Sequence, residues 1–384
     1  MSTKERKNSK LWRIWSMLLK ELRLIQNDRF ALLLVFVLPA MIMGTMWVAT
    51  SQGGMGLGGG GEGSSDSVIL LAVVDVDPTD TFPGEDLSAN FTYYLSKSNS
   101  FSVREYDTED EALDALYRDD INAYAVIPYG FEGNITNDIP AFVTIHISST
   151  DFQSQTTVFS AFTDVVTEFR YDHGWIKGEV QMVRVREFQP TGNYTAATFG
   201  VFLLVFAVFI AVSATAAQAI VGDVPLSRML LTPATKMEAI LSKTLAYFVV
   251  GVVQSQFLLL LWMGIFGIRP NTDYLTLNAI LGLMSLSGSA LGVLISTLVS
   301  TRLQANQSFL FLLFASLIVG TGFMDVGIID DYYPLNLGRA MIIDTAFKGI
   351  SLADFLPQIL LILEVSLAFI IFSWIVFSKR QTLA

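Results

Sequence analysis

Residues 221–243 read VGDVPLSRMLLTPATKMEAILSK. This polar interruption separates two long apolar runs, one ending near Ile220 and the next beginning near Thr244. Asp223 and Pro225 mark one break, Pro233 marks a second, and Arg228, Lys236 and Lys243 supply positive charge. Between the prolines, Leu226, Met229 and Leu230 fall at helical spacing, which predicts a short amphipathic helix lying flat at a membrane face. Any chain that crosses a membrane several times needs loops of this kind, so charge and spacing alone leave both readings open.

The flanking runs decide the fold. Apolar stretches at 30–49, 196–220, 244–268, 275–299, 309–324 and 355–377 approach the roughly 20 residues needed to cross a hydrocarbon core, the fifth being the shortest. Of 384 residues, 52% are hydrophobic and only 15% charged, with a mean hydropathy of +0.51. A soluble domain carries about 25% charged residues, so the composition is that of a membrane protein. The expected fold is a polytopic α-helical membrane protein with six transmembrane helices and one inserted domain. Loop charge sets the orientation. With the N-terminus inside, Arg228, Lys236, Lys243, Arg302, Lys379 and Arg380 also fall inside, and only the small loop holding Arg269, with Asp273 beside it, departs. Both termini, including the tail 378–384, are therefore expected on the cytoplasmic side of the plasma membrane.

Residues 1–29 carry eight Lys and Arg without the architecture of a signal peptide. Leu11, Trp15, Leu18, Leu22 and Ile25 recur at steps of four and three, while Arg13, Lys20 and Asn27 take the opposite face, which predicts an interfacial helix over 10–28. The first span, 30–49, contains Pro39, a kink site. Residues 50–67 form a Gly-rich linker. A phosphate-cradling loop does not fit there, because no Lys-Ser/Thr follows and no strand and helix frame it.

Residues 68–195 alternate strand and helix signals. Strands are expected at 68–74, 101–106, 123–127 and 141–148, helices at 85–96, 108–119 and 151–174, and either element at 180–188. Thr108 and Glu111 have capping-box spacing. These alternations predict an α/β or α+β domain. Residues 51–195 hold 23 acidic and 7 basic residues, a balance of −16. The whole chain carries −11, so the remainder is +5. That split predicts two environments, with the domain in 50–195 outside the cell. Three N-x-T sequons, at Asn90, Asn134 and Asn193, agree with an external surface. Residues 325–354, including Tyr332, Tyr333, Pro334 and Arg339, are expected to hold re-entrant or interfacial helices on the outer side.

Chemistry is scarce. There is no cysteine and only two histidines, His146 and His173, which argues against thiolate or His-based metal sites and against a triad. No Gly-Lys pair occurs, so the chain has no Walker-type ATP site. The pairs Asp75 and Asp77, Asp119 and Asp120, and Asp330 and Asp331 lack EF-hand spacing and read as solvated carboxylates. No catalytic group, metal or bound cofactor is expected, and no nucleic-acid partner.

The order P-L-S-R-M-L-L-T-P-A, followed by Glu238 and Lys243, resembles the cytoplasmic loop of permease subunits in the type-2 ABC exporter family. In that family the loop follows the second span and touches the ATPase subunit. The usual upstream acidic-Gly-Thr-acidic pattern is partly kept, since Gly222 and Asp223 are followed by Val224 and Pro225. The run K-E-L-R-L-I-Q-N-D-R before the first span also resembles the family's elbow helix. The resemblance points to the subgroup with a large extracytoplasmic domain between spans 1 and 2. It implies a cytoplasmic ABC ATPase partner that holds the ATP, a second permease copy or paralogue, and contact with membrane lipid. It further implies ATPase coupling through Gly222, Asp223, Pro225, Leu226, Arg228, Leu230, Leu231, Thr232, Pro233, Glu238 and Lys243, aided by the loop at Arg302.

Inside the spans, Gln218, Gln254 and Glu364 are the candidates to line a translocation path, with Gln256 a further polar residue. A carboxylate inside a span is expected to face a bundle interior or a wet cavity. Gly282, Ser285, Ser287, Gly288 and Ser289 read as a close-packing stripe. The alternative is a receptor or scaffold whose spans merely anchor the acidic domain.

Overall fold

The computed structural model of the chain describes residues 10–51, 68–79, 82–150, 152–221, 223, 234–320 and 327–379. The chain divides into two compact units, Met1–Gly56 with Pro190–Ala384, and Leu57–Gln189.

The first unit is helical. Helix α1, Lys10–Asn27, buries Met17, Leu18, Glu21 and Ile25, so of the expected stripe Leu18 and Ile25 are buried and Leu22 is half-buried, while Leu11 and Trp15 are exposed. The first apolar run is not one regular helix. It comprises α2, Arg29–Leu32, a π-turn at Leu33–Val37, and α3, Leu38–Ser51. In the π-turn the Leu38 N–H reaches back five residues to the Leu33 carbonyl, directly before Pro39, which has no N–H to give.

The remaining helices are α8 (Tyr194–Ala216), α9 (Lys236–Leu259, extended by a π-turn at Leu260–Ile265), α10 (Tyr274–Leu298), α11 (Arg302–Gly320), α12 (Ile328–Tyr332), α13 (Pro334–Lys348) and α14 (Leu356–Lys379), numbered after those of the inserted unit. Among the described residues, five helical stretches are long and apolar enough to cross a membrane: Tyr194–Ala216, Lys236–Ile265, Tyr274–Leu298, Arg302–Val319 and Leu352–Lys379. Among the described residues, the first run contributes the shorter apolar stretch Val35–Thr45, which contains Pro39.

Small residues bring α8 and α10 together. A Cβ on Gly288 would lie 2.6 Å from the Phe209 carbonyl oxygen, and one on Gly292 would lie 2.5 Å from the Ser213 carbonyl oxygen. Ser213 Oγ donates to the carbonyls of Phe209 and Gly288. Gly282, on the same helix, meets nothing within 4 Å, so it lies outside the packed stripe. Helix α13, opened by Pro334, buries Leu335, Met341, Ile342 and Phe347 against α8 and α10. Helices α11 and α14 keep most of their apolar surface exposed.

The second unit is a five-stranded mixed sheet: β1 (Ile69–Asp75), β2 (Phe101–Glu105), β3 (Ala123–Ile127), β4 (Ala141–Ser148) and β5 (Val180–Glu187), in the order β2-β1-β3-β4-β5. Strands β2, β1 and β3 are parallel, β3 and β4 antiparallel, β4 and β5 parallel. Its helices are α4 (Leu87–Lys97), α5 (Glu109–Tyr117), α6 (Phe131–Thr136) and α7 (Phe152–Asp172). Helices α4, α6 and α7 cover one face, where the Phe91 ring lies 5.1 Å from Phe169 and 5.9 Å from Phe162. Helix α5 covers Ala72, Val74 and Tyr124 on the other. Strand β1 is buried on both faces, which is why it reads as a continuous apolar run. The stretch 180–188, which the sequence leaves as either element, is the edge strand β5, and the short helix α6 follows no sequence signal named above.

Candidate functional site

The polar segment between α8 and α9 begins and ends in an ionic assembly built on α1. Gly222, Pro225, Leu226, Arg228, Leu230, Leu231, Thr232 and Pro233 lie outside the described residues, as do the short helix expected between the prolines and most of the Gly-rich linker. Asp223, Glu238 and Lys243 are described, and all three are engaged.

Helix α9 starts at Lys236, eight residues before the apolar run suggests, so 236–243 is helix rather than loop. The cause is local. Thr235 Oγ1 accepts from the Glu238 N–H, and Glu238 Oε2 accepts from the Thr235 N–H at 3.0 Å, a complete capping box. The same Glu238 carboxylate takes a fork from Arg13 of α1, with Nη2 at 2.7 Å and Nε at 3.2 Å.

One turn further, Lys243 Nζ lies 2.8 Å from Glu21 Oε1 and 2.8 Å from Asp223 Oδ2. Lys20 Nζ completes the cluster, 2.8 Å from Asp223 Oδ2 and 3.1 Å from Glu21 Oε1. Two cations and two anions therefore balance. The side chains of Lys243, Asp223 and Glu21 are at most 4% exposed, so each charge depends on the others for compensation. Burial pushes the Asp223 carboxyl up, but Lys243 and Lys20 together hold it below the usual carboxylate range. Burial pulls Lys20 down, and its bond to Asp223 and the neighbouring charges more than reverse this.

Other ties fasten the same end of the bundle. Lys236 Nζ donates to the Phe377 and Ser378 carbonyls at the end of α14, each at 3.1 Å. Ser296 Oγ of α10 accepts from the Ile220 and Val221 N–H groups where α8 unwinds. Hence both margins of the undescribed segment are held firmly while α1, α8, α9, α10 and α14 all contribute. The periodicity puts Arg13 and Lys20 on the face opposite the apolar stripe and assigns Glu21 no role. Its position on the apolar stripe of α1 is the signal that it needs a buried cation.

The path candidates are not brought together. Gln218 Nε2 donates to Asn306 Oδ1 of α11 at 2.8 Å. Gln254 is fully buried, and its Nε2 donates to the Val35 carbonyl at 2.8 Å and the Ala207 carbonyl at 3.3 Å. Gln256 bonds Tyr274 and Asn278 instead. Glu364 does not face the interior of this bundle. It lies on the exposed face of α14 beside Leu360, Leu363 and Leu367, and among the described residues it has no hydrogen-bond or ion-pair partner. Helix α14 sits at the periphery of the single chain.

Of the acid pairs, Asp75, Asp119, Asp120 and Asp331 are exposed, but Asp77 is buried. Asp77 accepts from the Gly130 and Glu132 N–H groups at the start of α6 and from Thr79. Burial alone would raise its pKa, and these donors instead lower it. It is a loop clasp. Two sequon asparagines also serve locally: Asn193 caps α8, and Asn90 bonds Glu85.

A family model described as ABC-2 family transporter protein matches residues 29–376. No curated protein matches the chain significantly, and no solved structure does.

Proposed function

The chain belongs to the ABC-2 transporter family, and from that premise we propose that it is the permease subunit of an ATP-driven exporter whose motor docks on residues 221–243. Membership implies a membrane subunit integral to the plasma membrane, working with a separate ABC ATPase. In our reading the ATPase is cytoplasmic and holds the ATP, and this chain hydrolyses none. Six spans cross the bilayer, the proline-broken Arg29–Ser51 run being the first, with both termini inside and the acidic sheet domain outside. That places the chain in the subgroup with a large external domain between its first two spans. A second copy or paralogue completes the permease, with lipid around it.

The observation that carries the coupling assignment is the clamping of the 221–243 segment. Its first described acid, Asp223, and its last lysine, Lys243, share one buried cluster with Lys20 and Glu21. A push on the segment is thereby delivered at once to α1, α8 and α9 rather than absorbed by a slack loop. Gln218, Gln254 and Glu364 remain path candidates. Glu364 is the strongest of them, because a carboxylate within a span and exposed on one chain is stable only against water or another protein surface.

Reconstitution tests the proposal. The chain is placed in liposomes with a candidate ABC ATPase, sought first in the neighbouring reading frames, and ATP hydrolysis is followed with and without the permease. Hydrolysis that depends on the permease supports the reading. Hydrolysis that ignores it favours an anchored receptor or scaffold.

A further inference from the structure

Pro39 interrupts the first apolar run, and its missing N–H removes the α-helical partner of the carbonyl four residues back, that of Val35. The chain answers locally with the π-turn Leu33–Val37. It answers at long range with Gln254 of α9, whose Nε2 donates to that same Val35 carbonyl at 2.8 Å. A second contact at 3.3 Å reaches the Ala207 carbonyl of α8, so one amide joins three apolar segments. Gln254 and Val35 are both fully buried, and no water competes for the bond. The Oε1 of Gln254 is buried without a partner among the described residues. A residue that served packing alone would not leave such an oxygen unsatisfied, since Met or Leu fills similar space without it.

We infer that Gln254 is a positioning residue that supplies the donor missing at Pro39, and that it thereby holds the first run as two half-helices jointed at Leu33–Val37, a joint the transport cycle bends. Proline breaks inside a membrane are tolerated where neighbouring helices and local π adjustments re-satisfy the freed backbone groups. π-turns recur where helices must change shape. The bending half of the inference rests on the exporter reading, whereas the hydrogen-bond half stands on the chain alone.

The test is a two-by-two set: Gln254→Met, Pro39→Ala, and both together, in the purified full chain. With Pro39 present, Gln254→Met is expected to raise the unfolding equilibrium constant about 3- to 20-fold. In the Pro39→Ala background the restored N–H satisfies Val35, and the same change should alter the constant by no more than about twofold. Equal effects in the two backgrounds overturn the hydrogen-bond assignment. The joint is read separately. The chain has no cysteine, so spin labels at Ala31→Cys and Thr45→Cys report only on the two half-helices. A broader distance distribution in the wild type than in the Pro39→Ala, Gln254→Met pair supports the joint, and equal widths overturn it. The double variant should also bind the ATPase normally yet lose most permease-dependent ATP hydrolysis. Undiminished hydrolysis overturns the bending role, while a wild type that binds no ATPase overturns the exporter reading and leaves the stability cycle and label widths intact.

Discussion

Replacing Lys243 by methionine keeps the aliphatic stem and deletes the ammonium that lies 2.8 Å from both Glu21 and Asp223. Lys20 remains, so the buried cluster passes from neutral to one excess negative charge. The variant has two ways to respond. It can keep the charge uncompensated, at about 3–5 kcal/mol. It can instead protonate one carboxyl, which at pH 7 costs about 1.4 kcal/mol for each of roughly three pH units above an ordinary carboxylate pKa near 4, or about 4 kcal/mol. The two routes agree, and only the second depends on pH. At pH 5 the protonation cost falls to about 1.4 kcal/mol, so the destabilisation should shrink by roughly 2.7 kcal/mol between pH 7 and pH 5. The wild type provides a flat reference. Its Asp223 is held below the ordinary carboxylate range, so the stability it contributes is present above pH 4 and lost only as pH falls through the lower folded value. Reversible unfolding in mixed micelles at the two pH values measures both quantities. Adding Asp223→Asn to Lys243→Met restores neutrality and should recover most of the loss at pH 7. A loss below about 1 kcal/mol, or one that is independent of pH, would refute the cluster as the fastening of this segment.

Two further perturbations probe the packing and the inserted domain. Gly288→Ala drives a methyl to 2.6 Å from the Phe209 carbonyl oxygen and should cost about 1–3 kcal/mol, whereas Gly282→Ala, with open space, should stabilise α10 by about 0.5–1 kcal/mol. Equal shifts in the thermal midpoint would contradict that packing. The Tyr94 hydroxyl donates to Asp172 at 2.7 Å, and this bond, first among the causes, raises the phenol to about 12. Ultraviolet titration should show one tyrosine ionising near that value, with its bond present below pH 10 and lost as the pH rises towards 12. Asp172→Asn should return it towards the ordinary value near 10.

Much of the fold is readable because hydrophobic runs report burial directly. The apolar runs at 196–220 and 275–299 coincide with α8 and α10 to within a few residues. Helix α9 shows the limit of that signal, because hydropathy marks where a helix becomes apolar, not where it begins. Thr235, Lys236, Met237 and Glu238 spell a capping box in plain sight, but the polar turn they open reads as loop. Helix α6 is short and starts after Gly130 in the left-handed region, so periodicity has too few residues to register. The site was less legible. Asp223, Glu238 and Lys243 stand out by motif resemblance, yet their partners Arg13, Lys20 and Glu21 are some 200 residues away in the chain. Nothing local pairs them except the oddity of Glu21 on an apolar stripe. The bond between Gln254 and Val35 likewise depends on tertiary packing, and only Pro39 hints that a donor must come from elsewhere.

The central claim, that residues 221–243 receive the motor, is tested most directly by co-purification. Wild-type chain and a variant carrying Arg228→Glu and Leu230→Asp are each expressed with the candidate ABC ATPase. Both changes leave Lys20, Glu21, Asp223 and Lys243 unaltered, and equal abundance of the two chains in the membrane checks that the variant inserts. The account predicts that the wild type retains the ATPase and that the variant, equally abundant in the membrane, loses it. Equal retention by both, or none by the wild type, would contradict the account.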